Sequence, residues 1–224
     1  MHHVVVGAGE VGTAVAAVLA RAHQVTLRDI EPVTAKADVL DICIPWSERF
    51  VEYVHDYVKH HEPSLVVVHS TVPTGTCDEY GWVHSPIRGR HPHLEEGVST
   101  FVKHFGGVRA AEAAKSWVLA GVTTAEHDRA RDTEAGKLWE LAQYGVQIQV
   151  EKAIYEWCEA HDVNFDVAYT AMAHSYNEGF QALGESRFTR PVLEHVPGPI
   201  GGHCVLQNSH LIDHELTRVV REGF

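Results

Sequence analysis

Residues 3–29 read His3-Val4-Val5-Val6-Gly7-Ala8-Gly9-Glu10-Val11-Gly12-Thr13-Ala14-Val15-Ala16-Ala17-Val18-Leu19-Ala20-Arg21-Ala22-His23-Gln24-Val25-Thr26-Leu27-Arg28-Asp29. The valine run is a short apolar stretch of the kind buried in a parallel sheet. Thr13 to Arg21 has a helical pattern. Gln24 to Asp29 reads as a second strand that ends in an acid. The glycines therefore lie between a strand and a helix, with a carboxylate about 20 residues on. Gly7 makes the tight turn, Gly9 leaves room for a close approach to the backbone, and Gly12 lets the helix pack on the strand. The loop and first turn, Gly7, Gly9, Glu10, Val11 and Gly12, offer N–H groups and a positive dipole end to an anion.

This is the fingerprint of a dinucleotide site, and the expected cofactor is NAD. Asp29 can accept hydrogen bonds from the adenine ribose hydroxyls and would repel a 2′-phosphate, although Arg28 beside it weakens that preference. The alternatives are a domain that has lost its cofactor or binds another nucleotide.

Further along, Ala37 to Pro45 reads as a buried strand and Ser47 to His60 as a helix. Leu65 to Ser70 reads as another strand, followed by the loop Thr71-Val72-Pro73-Thr74-Gly75-Thr76. Ile44-Pro45 and Ser70-Thr71 stand at the carboxyl ends of their strands, where open α/β sheets bind ligands. A short strand is expected in Tyr80 to His84, another in Phe101 to Val108, and a helix in Ala110 to Leu119. Between them runs Ser85-Pro86-Ile87-Arg88-Gly89-Arg90-His91-Pro92-His93. Arg88 and Arg90 either bind a phosphate or carboxylate through their forked donors or are simply solvated.

From about Ala125 the pattern turns helical, and Asp128 to His161 runs on with few breakers. Phe165 to His174 predicts a shorter helix. Pro197-Gly198-Pro199-Ile200-Gly201-Gly202-His203-Cys204 reads as a loop that lets backbone approach a ligand, with Cys204 at its end. The fold class is α/β: a Rossmann-type parallel-sheet domain over residues 1–122, then a helical domain over 123–224 with a long helix suited to a homodimer.

The 224 residues suffice for a substantial core, and a formal charge of −12 without a Lys/Arg cluster argues against nucleic acid. No apolar stretch approaches the roughly 20 residues of a membrane span. The N-terminus enters a strand directly, so a cytoplasmic location is expected. The four cysteines lack C-x-x-C spacing and read as thiols. Among 18 histidines, His91-x-His93 and His210-x-x-x-His214 have ligand spacing but no completing partner, so no metal is expected.

Five stretches occur in the order seen in UDP-glucose/GDP-mannose dehydrogenases, which the chain resembles. They are Gly7-x-Gly9-x-x-Gly12 with Asp29, Ser70-Thr71-Val72-Pro73-x-Gly75-Thr76, Ser85-Pro86, Lys137, and Gly198 to Cys204. The resemblance covers nearly the whole chain but only the first two-thirds of a typical member. It lacks the C-terminal domain that holds much of the nucleotide.

The resemblance implies two successive oxidations of an alcohol to an acid with two NAD. Cys204 would be the nucleophile toward the aldehyde and Lys137 the oxyanion stabiliser. Thr71 would lie near the nicotinamide, and His203, Arg88 and Arg90 would contact a small or nucleotide-linked anionic substrate. Three positions depart from the pattern. Leu141 replaces an asparagine, Asn208 an aspartate at a catalytic position, and Ile87 a glutamate. Two other outcomes stay open: a two-electron, β-hydroxyacid-dehydrogenase-like reaction that needs Lys137 but not Cys204, and cofactor binding without turnover.

Overall fold

The computed structural model describes residues 1–31, 33–201 and 203–224, with the side chain of His203 outside that description. The chain divides into two compact units, Met1–Lys137 and Leu138–Phe224.

The first unit is built on seven strands: β1 His2–Val6, β2 Gln24–Arg28, β3 Val39–Ile42, β4 Leu65–Val68, β5 Val83–His84, β6 Lys103–Gly106 and β7 Thr124–His127. They form one sheet in the order β2-β1-β3-β4-β5-β6-β7. β1 through β5 are parallel, with Val5 opposite Leu27 on one side and Asp41 on the other. β6 and β7 run parallel to each other but antiparallel to the rest. The order reverses at β1 and β3, which opens a crevice at their carboxyl ends.

Helices α1 (Glu10–Leu19), α4 (Leu94–Thr100) and α5 (Ala110–Leu119) cover one face, and α2 (Phe50–His61) and the short α3 (Thr76–Tyr80) cover the other. Because both faces are covered, the central strands are apolar on both sides, and every residue of β3 and β4 is buried. Val15, Val18, Leu19, Phe105 and Trp117 fill one layer; Leu40, Ile42, Phe50 and Val54 fill the other. Burying each such side chain is worth about 1.5–3 kcal/mol.

Helix α6 (Ala130–Ala160) begins in the first unit and continues into the second. The second unit also contains a π-helical segment, Asp166–Ala171, running into α7 (Met172–Ala182), then α8 (His203–Ser209) and α9 (Glu215–Glu222). Its core joins Ile200, Val205 and Val220 to Leu141, Val146 and Ile148. A Cβ on Gly145 would come within 2.8 Å of Val205 and Val220, so this glycine is a contact point and not a break in α6.

Three expectations are corrected. The boundary falls after Lys137 and not after residue 122, because β7 and the start of α6 belong with the sheet. Thr124–His127 is a strand where a helix was expected; as the sheet's edge it is only partly buried and shows little alternation. Leu94–Thr100, between the expected loop and strand, is a helix. Cys204 lies in the first turn of α8 and not in a loop. Among the described residues, no helix is long and apolar enough to cross a membrane.

Candidate active site

The Gly7 loop has the geometry its glycines require. Gly7 has φ +99°, and its N–H donates to the Arg28 carbonyl at 2.8 Å, tying the ends of β1 and β2 together. A Cβ on Gly7 would lie 2.7 Å from the Cys43 carbonyl oxygen, and one on Gly12 would lie 1.7 Å from the Gly7 carbonyl oxygen. A Cβ on Gly9 would meet nothing within 4 Å. The loop is therefore closed against the sheet at Gly7 and Gly12 and open toward solvent at Gly9. α1 starts at Glu10, with Gly9 as its N-cap and no side chain on the first N–H groups. Such a cradle fits a pyrophosphate.

Glu10 is half exposed and pairs with Nδ1 of His91, so the Arg88–His93 segment is tethered beside the loop. Val11 packs against the α1 layer of the core. Asp29 is exposed just beyond β2. Arg28 is engaged on α2: its guanidinium lies 4.7 Å from the Tyr57 ring centre and donates to Nε2 of His61 at 2.7 Å. Burial holds the His61 pKa down, so its neutral ring accepts that bond while Nδ1 donates to the Ala35 carbonyl.

Along the carboxyl edge, Ile44 is partly buried and Pro45 exposed. The Ser70 hydroxyl donates to the Ile44 carbonyl at 2.6 Å, so this side chain fastens β4's end to β3's. Thr71 follows, partly buried. Arg88 is partly buried, and Arg90 is exposed.

Below this edge lies a buried polar array that sequence reading missed. Asp41, fully buried on β3, accepts from His3 Nδ1 at 2.7 Å and from His69 Nε2 at 2.9 Å. Lys103 Nζ lies 3.3 Å from His69 Nδ1, 3.2 Å from the Ser85 carbonyl and 4.4 Å from the Trp117 ring centre. His69 donates to Asp41 through Nε2, and its Nδ1 lies 2.8 Å from the Ser85 carbonyl oxygen, the acceptor it shares with Lys103.

Burial alone would raise the Asp41 pKa, but the bonds from His3 and His69 outweigh it and hold it at about 2. Burial pushes Lys103 down to about 7 and His84 down to about 3. His69 is also lowered, by burial and then by the Lys103 charge. Burial drives the Cys43 and Cys77 thiols well above the usual range.

Two carboxylates lock α3 to α6. Asp78 accepts from the Ala130 N–H at 2.8 Å and from Arg131 Nε at 2.7 Å. Burial raises its pKa, but the Arg131 guanidinium and the amides outweigh that. Glu134, fully buried, accepts from the Gly75 N–H at 2.5 Å and the Cys77 N–H at 2.8 Å. Thr133 meets His84 Nδ1 at 2.8 Å. These ties set the start of α6 on the carboxyl edge. Lys137, one turn after Glu134, is partly buried, and its charge helps lower the pKa values of His84 and Lys103.

In the second unit, Cys204 is exposed. The Asn208 amide donates to the Cys204 backbone carbonyl at 2.7 Å, a bond within α8. The side chain of His203 lies outside the described residues, as does Gly202. Lys152, which the sequence did not single out, donates to the Val196 and Gly198 carbonyls at 2.6 Å each and so holds the segment leading to α8. None of the four cysteines forms a disulfide.

Fold and loop together define a Rossmann-type α/β unit, with a helical unit following it in sequence. No family model and no curated protein matches the chain. Solved structures do. The UDP-D-ManNAc dehydrogenase of Pyrococcus horikoshii superposes with a TM-score of 0.76 at 18% identity, over 99% of this chain and 67% of that one. A UDP-glucose dehydrogenase from Pyrobaculum islandicum gives 0.74 at 17% identity, over 98% and 66%. Mycobacterium tuberculosis 3-hydroxyisobutyrate dehydrogenase gives 0.70 at 14% identity, over 99% and 91%. The chain thus shares the architecture of nucleotide-sugar dehydrogenases and spans about two-thirds of their length.

Proposed function

We propose that this protein is an NAD-dependent oxidoreductase acting on an alcohol carbon, of the nucleotide-sugar dehydrogenase type. The observation that carries this reading is the Gly7–Gly12 cradle, shut against the sheet where a Cβ would collide and open at Gly9. NAD, when bound, accepts the hydride.

The chain's residues supply the rest. Gly9, Glu10 and Val11 present backbone N–H groups to the pyrophosphate, and Asp29 takes the adenine ribose hydroxyls. Arg28, already engaged by Tyr57 and His61, offers little to a 2′-phosphate, which favours NAD over NADP. Lys137 holds a proton and a positive charge where an alkoxide develops. Thr71 borders the nicotinamide half, and Arg88 and Arg90 attract an anionic group of the substrate. Cys204 adds to the aldehyde carbon, and water cleaves the thioester left by the second hydride transfer.

A second reading is favoured by Asn208, whose amide is bonded to its own helix and cannot act as a base. In that reading the reaction stops after two electrons, with Lys137 essential and Cys204 dispensable. A homodimer belongs to both readings, because neither the π-helical segment nor α7 buries a single residue within the chain.

Turnover of a panel of alcohols and sugar nucleotides with NAD distinguishes the readings. Loss on Lys137→Ala alone supports the two-electron course, and loss on both Lys137→Ala and Cys204→Ala supports the thiol course. NAD binding without turnover on the whole panel favours a binding protein.

A further inference from the structure

Glu134 is a carboxylate with no exposure, and both its oxygens are spent on one loop. Taking a carboxylate out of water is costly unless each oxygen finds a donor. Here the donors are backbone N–H groups of Gly75 and Cys77, which lie 59 and 57 residues away in sequence. A residue inside the loop would suffice to cap a helix as short as α3. A cap supplied by α6 does something a local one cannot: it fixes where the Thr71–Gly75 loop stands relative to the helix that carries Lys137.

Asp78 returns the tie by capping the first turn of α6 through the Ala130 and Arg131 amides. Gly75, at φ +98°, is the turn at which the loop bends into α3.

The two halves of the crevice are built differently. The Gly7 cradle and Asp29, at the ends of β1 and β2, face the pyrophosphate and adenosine half. The other half of a dinucleotide extends the opposite way, over the ends of β3 and β4, where Thr71 begins the loop that Glu134 holds. We propose that Glu134 is a positioning residue that clamps the Thr71–Gly75 loop for the nicotinamide half of the cofactor, independently of the adenosine half. This rests on the NAD reading above.

The test compares NAD with adenosine diphosphate ribose, which lacks the nicotinamide, by calorimetric titration of the full chain and its Glu134→Gln variant. Glutamine keeps the volume but turns a donor toward one of the two amides. NAD affinity is expected to fall about tenfold, the usual size for losing a hydrogen bond to a buried charged group, while adenosine diphosphate ribose binds as in the wild type. Hydrogen exchange at the Gly75 and Cys77 amides should quicken about tenfold or more.

Equal weakening of both ligands would reduce Glu134 to a general fold residue and overturn the proposal, as would unchanged binding of both. Wild-type protein that binds neither ligand would instead sink the NAD reading itself, and this role with it. Glu134→Asp, which keeps the charge but is too short to reach both amides, gives the same pattern at smaller size if the glutamine variant does not fold.

Discussion

Gly12 and Gly9 belong to one motif but answer to different constraints. A methyl group at Gly12 would sit 1.7 Å from the Gly7 carbonyl oxygen, so Gly12→Ala must displace α1 or the loop. We expect a stability loss of about 3 kcal/mol, the upper end for overpacking, measured by denaturant unfolding. The cysteines differ in the same local way. Burial raises the pKa of Cys43 and Cys77, and Cys158 is buried, whereas Cys204 is exposed. Alkylation followed by peptide mass spectrometry should modify Cys204 well before the other three. A protein in which Cys204 reacts as slowly as Cys77 would not support a thiol-based reaction. The glycines were legible in the sequence because their spacing is local. Asp41, His3, His69 and Lys103 were not, because they lie on or directly after four different strands and only the sheet order brings them together.

At the scale of elements, the buried array ties β1, β3, the end of β4 and β6 together, and it makes the sheet sensitive to pH. The folded pKa of His84 lies at about 3 against an ordinary value near 6.5, and His69 is lowered too. Between those values the unfolded chain binds protons that the folded one excludes, so stability rises with pH through this window and falls on acidification. Asp41, held at about 2, adds to the loss below its ordinary value of 3.8.

Lys103 acts in the same sense at higher pH: with a folded pKa of about 7, it makes stability climb from pH 7 toward 10.5. Lys103→Met should flatten that upper climb and, by removing a charge that helps lower His69 and His84, also soften the loss on the acid side, as read from denaturation midpoints across pH. An unchanged slope above pH 7 in the variant would show that Lys103 does not titrate as described.

The same scale explains which elements were readable. β1, α1 and α5 have strong apolar patterns; α5 spans its expected Ala110–Leu119, β1 starts one residue earlier than expected, and α1 starts three residues earlier, at Glu10. β7 is a polar edge strand, and α8 is seven residues long and directly follows a glycine/proline run, so each lacked the periodicity that identifies it.

In the second unit, Val167 is 59%, Met172 64% and Leu183 75% exposed, on the π-helical segment and along and just after α7. Such surface is the expected contact face of a second copy. Sedimentation at micromolar concentration should give twice the chain mass, and Met172→Lys should shift the protein toward monomer. A monomeric wild type would contradict the dimer. The boundary between units was misplaced in the sequence because α6 runs through it without a break.

The most direct measurement is NAD binding by titration calorimetry to wild type and Gly9→Ala. The alanine methyl points into open space, so the fold and melting temperature should not change. It occupies the place where the pyrophosphate must approach the backbone. Saturable binding by wild type and at least about a tenfold loss in Gly9→Ala at unchanged stability is the predicted result. No binding by wild type, or equal affinity in both, would contradict the assignment of this loop as the cofactor site.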